Sequence, residues 1–166
     1  KNKDLILKLG HRKDKGYKYY VGVDPAISTD GDYNVIMVLE VDNEMNKSIV
    51  HIDRAKNVQF RENIEKLNLI GKIFQPEVVL YETNTFAKAF TQELRSVSDL
   101  NVRDFDTTRR KKQEIILNLQ MNFENGKIGL PCGDNNSRRM SHLLIEELSM
   151  FSITESGKFE GVGAKS

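Results

Sequence analysis

Two carboxylates stand at equivalent places in the chain. Asp24 closes the apolar run that rises through Tyr19–Val23, and Glu82 closes the run Glu77–Tyr81, EVVLY. An acid at the end of a buried strand costs free energy unless a partner neutralises it. Carboxylate oxygens suit magnesium or manganese as that partner. If the two strands are parallel neighbours, both acids emerge at one edge of a sheet, where ligands of open α/β sheets bind. Clustered carboxylates repel, which raises at least one pKa unless cations intervene. Two divalent ions about 3.5–4 Å apart resolve that repulsion and clamp the attacking and leaving oxygens of a phosphodiester. Ordinary structure offers alternatives: Asp24-Pro25 reads equally as a turn, and Glu82 as an acid facing a helix dipole.

A second cluster is basic. Arg109, Arg110, Lys111 and Lys112 are consecutive where a helix is predicted to start. Cations there oppose the helix dipole and cost local stability, which a phosphate ligand would explain. A solvated charge run is the plain alternative. Arg138 and Arg139 open the following helix in the same manner and are candidates to extend the patch. The remaining candidates carry less. His51 and His142 have no Cys or second His at zinc-ligand spacing. Cys132 is a loop thiol without a motif, and Ser28 lies outside any nucleophile elbow. Asp30 and Asp32 read as loop-capping acids, with Asp32 the one placed to approach Asp24.

The elements that must position these residues follow from periodicity. Strands are predicted at Tyr17–Asp24, Tyr33–Asp42 and Ser48–Lys56, the last two joined as a hairpin through Asp42–Asn46. Phe60, Ile64, Leu67, Ile70 and Phe74 recur at helical spacing, and Gln75-Pro76 ends that helix. Glu77–Tyr81 is continuously apolar, as suits the buried middle of a sheet. Thr83-Asn84-Thr85 then supplies capping residues for a helix marked by Phe86, Phe90, Leu94 and Val97. Asn101–Phe105 is a further strand. Thr107 and Thr108 precede a helix with Ile115, Ile116, Leu119 and Phe123 on one face, closed by Asn125-Gly126. Ile128–Leu130 is short and extended. Asn135–Ser137 caps a helix striped by Met140, Leu143, Leu144, Leu148 and Phe151, and Ser152–Glu160 reads as a small hairpin turning at Glu155-Ser156-Gly157. The hairpin-joined strands should be antiparallel and the strands separated by helices parallel, giving a mixed α/β sheet with helices on both faces.

Composition sets the outer bounds. The 166 residues fit one domain, and 39% hydrophobic content supplies a full core. A net charge of +1 announces no global basic field, so any binding to nucleic acid must come from local patches. The single cysteine excludes an intrachain disulfide and favours a reducing compartment. No apolar run is long enough to cross a bilayer, and no signal peptide opens the chain. Residues 1–16, charged and glycine-punctuated, read as the remnant of a linker, leaving 17–166 as the domain.

Taken together, VGVDPA at Val21–Ala26, GDY at Gly31–Tyr33, LYETN at Leu80–Asn84 and the stretch Thr107–Pro131 resemble the nuclease domain of tailed-phage terminase large subunits. The resemblance covers nearly all the chain from Tyr19 onward. It implies a ribonuclease H-like fold related to RuvC resolvases, and cleavage of packaged double-stranded DNA with two Mg2+ or Mn2+ ions. It makes Asp24 the first metal-binding aspartate and Glu82 the second metal-binding acid. Arg109, Arg110, Lys111 and Lys112 become candidates for sequence-independent contact with the DNA backbone. The terminase ATPase domain, the small terminase subunit and the portal are implied partners, with the host cytoplasm as the place of action and no membrane involved.

The family's third acid opens a helix that follows a glycine-containing loop like GVGAKS. The sequence stops at Ser166, where that helix should begin, so the natural protein is expected to continue. A chain ending there is expected to bind metal weakly and to cut DNA slowly or not at all. No Walker A pattern occurs, so the family's motor is not part of this sequence. Two other readings stay open: a non-catalytic ribonuclease H-like module that docks on a packaging motor or portal, and a fragment of an actin or sugar-kinase-like ATPase. The latter lacks a second phosphate loop and a duplicated domain.

Overall fold

The computed structural model describes residues 16–25, 32–83, 87–153 and 159–161. The expected linker at 1–16, the Ser28–Gly31 loop, the Asn84–Thr85 cap, Phe86, the Glu155–Gly157 turn and the GVGAKS segment lie wholly or almost wholly outside these residues.

Six strands form one sheet: β1 (Lys18–Asp24), β2 (Tyr33–Val41), β3 (Lys47–Lys56), β4 (Val78–Glu82), β5 (Val102–Phe105) and β6 (Ile128–Gly129). Their spatial order is β5-β4-β1-β2-β3-β6. The β1–β2 and β2–β3 pairs are antiparallel, while β1–β4, β4–β5 and β3–β6 are parallel. Asp42 builds the β2–β3 turn by accepting the backbone N–H groups of Glu44 and Asn46 at 2.9 and 2.8 Å, which lets Met45 take a left-handed φ of 64°. Two further strands, β7 (Phe151–Ile153) and β8 (Phe159–Gly161), pair antiparallel as a separate ribbon.

The described residues form four helices: α1 (Phe60–Phe74), α2 (Ala87–Val97), α3 (Arg109–Glu124) and α4 (Asn135–Ser149). Leu67, Ile70 and Phe74 of α1 and Phe90 and Leu94 of α2 bury against Val21, Val23, Ile36, Val38, Val79 and Tyr81 on one face. On the other face, Met140 of α4 packs with Ile49 and Ile52, and Met37, Leu39, Leu143 and Leu144 close around them. The strands therefore alternate between two cores. The alternation breaks at Val50, where the β2–β3 register shifts and Ile49 and Val50 are both buried.

Several expectations change. Leu80 is 41% exposed, so β4 is not covered on both faces; its second face looks into a cleft beneath α3. No residue of α3 is buried, and Ile115, Ile116, Leu119 and Phe123 line that cleft rather than fill a core. Phe151 belongs to β7 and not to the α4 stripe, because the helix ends at Ser149. The α4 N-cap is Asp134, whose carboxylate accepts the Ser137 N–H at 2.6 Å.

Candidate active site

The β1–β4 register sets Val23 opposite Tyr81, which puts Asp24 and Glu82 side by side at the carboxyl ends of two parallel strands. Val23 and Tyr81 are buried against α1 and α2. Strand alternation turns the two acids to the opposite face, and both line the cleft beneath α3 with Phe105, Thr107 and Lys112. The cleft encloses about 800 Å³, and most of its wall is apolar, from Ile115, Ile116, Leu119, Phe123 and Leu148.

The Glu82 carboxyl stands close enough to Asp24 to disfavour the charged form of Asp24 when no cation is present. Partial burial, the charge and hydrogen bond of Glu82, and the charge of Asp32 push the Asp24 carboxyl up to about 6; the Lys112 ammonium pulls the other way. Asp24 remains open to the cleft, so this pair is a solvent-reachable concentration of negative charge. Beneath it, the Tyr81 hydroxyl hydrogen-bonds to Asn63 and is pushed above its ordinary pKa by burial. Asn63 and Asn34 exchange amide hydrogen bonds of 2.9 and 3.3 Å, tying α1 to β2 under the acids. The buried polar groups below the site therefore partner one another, which fixes the strand ends that present Asp24 and Glu82.

The donor set suits a hard divalent cation: oxygen ligands only, with crowded negative charge on Asp24 and Glu82 that a cation would relieve. Among the described residues no group of three or more His, Cys, Asp or Glu side chains is assembled to hold a metal. Asp32 bears on Asp24 through its charge without joining such a group.

The basic run divides. Thr108 caps α3 by accepting the Lys111 N–H at 3.3 Å, which sets the run in the first turn. Arg110 pairs with Glu114 at 2.9 Å on the exposed side. Lys111 donates to the Asp106 carbonyl at 3.3 Å and lies 5.7 Å from the Phe105 ring centre. Lys112 lines the cleft with the two acids, and Arg109 is exposed at the helix start. Arg138 and Arg139 lie in the first turns of α4. Arg138 donates to the Cys132 carbonyl and to Asn135, and Arg139 donates to Asn136.

The other candidates resolve simply. His51 lies near Phe74, 6.3 Å between ring centres; His142 is exposed beside Glu146; and Cys132 is exposed. Sequence reasoning missed a third feature of this edge: Arg54 and Lys56 of β3 gathered on the ring of Tyr33.

Comparison with solved structures identifies the fold as that of a viral nuclease. The large terminase nuclease from thermophilic phage G20c with bound magnesium matches over 90% of this chain and 74% of its own, with a TM-score of 0.68 and 21% identity. The same nuclease has also been solved with cobalt and with zinc. The large terminase of bacteriophage HK97 matches over 93% of this chain and 37% of its own, at TM-score 0.66 and 9% identity. The human cytomegalovirus terminase nuclease domain matches over 92% and 79%, at TM-score 0.55 and 12% identity. The chain thus has the terminase nuclease-domain fold, a ribonuclease H-like mixed sheet. No protein-family model matches it, and no curated protein matches it by sequence.

Proposed function

We propose that residues 17–166 are a divalent-metal-dependent DNA endonuclease domain of the terminase large-subunit kind, which cuts double-stranded viral DNA during genome packaging. The observation that carries this reading is the adjacency of Asp24 and Glu82 on neighbouring parallel strands, at the edge of a sheet with the terminase nuclease fold. Asp24 and Glu82 would hold two Mg2+ or Mn2+ ions, and the ions supply positive charge against the charge that builds on the phosphate. Lys112, on the cleft wall, faces the same phosphate with a fixed positive charge. Arg109, Arg110 and Lys111 hold flanking backbone without reading bases. The reaction is hydrolysis: water adds to phosphorus, the bond to the leaving sugar oxygen breaks, and that oxygen takes up a proton. The terminase ATPase domain, the small subunit and the portal are the partners this reading implies, in the cytoplasm of a phage-infected host. No helix among the described residues is long and apolar enough to cross a membrane.

A non-catalytic docking module is the second reading, favoured by the absence of a third ligating side chain among the described residues. Nicking of supercoiled plasmid separates the two. Any nicking by the parent chain, slow as it is expected to be, should require Mg2+ or Mn2+, and Asp24→Asn and Glu82→Gln should abolish it with the fold intact. Cutting by both variants at the parent rate removes these residues from the chemistry. A parent that binds the DNA but takes up neither Mg2+ nor Mn2+ favours the docking module.

A further inference from the structure

The β1–β2–β3 register carries Asp24 to Val35 and Val35 to Arg54, and it pairs Tyr33 with Lys56. Residues paired in this way point to the same face of a sheet. Arg54, Lys56 and Tyr33 therefore stand on the face that bears Asp24, at the same edge, two strand spacings or about 10 Å across. The Arg54 guanidinium carbon lies 3.3 Å from the centre of the Tyr33 ring, and the Lys56 ammonium lies 4.6 Å from it. Glu147 of α4 holds Arg54 at 2.8 Å, fixing the guanidinium while Lys56 stays exposed.

Two cations gathered on one exposed aromatic ring repel each other, and the carboxylate of Glu147 neutralises only part of that charge. An aromatic platform with preorganised cations is suited to an anion at its rim. The basic start of α3 lies beyond Asp24 and Glu82 on the other side, so positive charge flanks the acids from both directions. Successive phosphates of one strand rise about 3.4 Å along the duplex axis and also wind around it, so about 10 Å reaches a nearby phosphate of the same backbone. We infer that Arg54 and Lys56, seated on Tyr33, form a second phosphodiester-binding site, which grips the backbone of the same duplex at a phosphate close to the one held at the acids. This inference rests on the nuclease reading for its ligand, and it adds backbone contacts that the α3 run does not supply.

The test measures binding of a short mixed-sequence DNA duplex to the full chain by fluorescence anisotropy across a salt series, in chelator to prevent cutting. Lys56→Gln is expected to weaken binding severalfold and to lower the slope of log affinity against log salt by about 0.9; Arg54→Gln with Lys56→Gln should lower it by about twice that. Thermal melting of each variant guards against misfolding. If the double variant is destabilised, Lys56→Gln alone decides the matter, since its side chain is exposed. Parent-like affinity and slope in a folded Lys56→Gln chain overturn the site. The nuclease reading survives that result if the parent still binds duplex and nicks plasmid with metal. A parent that binds no duplex overturns both.

Discussion

At the scale of residues, function turns on two carboxyl groups held side by side, of which Asp24 binds its proton more tightly than usual. The folded value of Asp24, raised to about 6, exceeds its ordinary value of about 3.9, so the folded chain holds this proton more tightly than the unfolded chain. The unfolded state therefore binds fewer protons across that window. The stabilising contribution is complete below about pH 4 and is lost as pH rises through about 6. This is opposite to an aspartate in a salt bridge. Asp24→Asn is expected to raise the melting temperature relative to the parent at pH 8 and to change it little at pH 4. A difference that stays constant between those pH values would contradict the assignment. The two acids were legible in the sequence because each ends an apolar run and the runs pair in register. Lys112 was legible only as one of four basic residues. Its separation from Arg110 depends on helix rotation: Arg110 meets Glu114 one turn on, whereas Lys112 turns towards the cleft.

At the scale of elements, the sense of the strands, antiparallel through the hairpin and parallel across helices, followed from segment lengths and turns, whereas their spatial order did not. The parallel placement of β1 beside β4 is what a crossover through α1 produces. Helix α3 was legible as amphipathic, yet its apolar face lines a cleft. A periodic stripe reveals which face is apolar, not what lies opposite it. The Val50 bulge and the Asp134 cap were missed for a related reason: each depends on local register that a regular period does not encode. The first turn of α3 carries a prediction of its own. Replacing Arg109, Arg110 and Lys111 with glutamine should weaken binding to duplexes of any sequence alike and lower the salt slope by about 0.9 for each phosphate no longer neutralised. Helix stability should not fall, because cations at a helix start oppose its dipole. An unchanged slope would return the run to the role of a solvated face.

At the scale of the whole molecule, a near-neutral chain concentrates unlike charges along one sheet edge. Acids sit at the ends of β1 and β4, basic residues open α3, and two cations gather on Tyr33 at β2 and β3. The net charge of +1 averages this pattern away, so composition gave no sign of it. The central claim is that Asp24 and Glu82 together hold a divalent cation, and titration with Mn2+ followed by the electron paramagnetic resonance of the free ion tests it without requiring cleavage. The free-ion signal should fall on adding the parent chain at neutral pH, and Asp24→Asn or Glu82→Gln should weaken that binding at least tenfold. Equal binding by the parent and both variants, or no binding by a folded parent, would contradict the account.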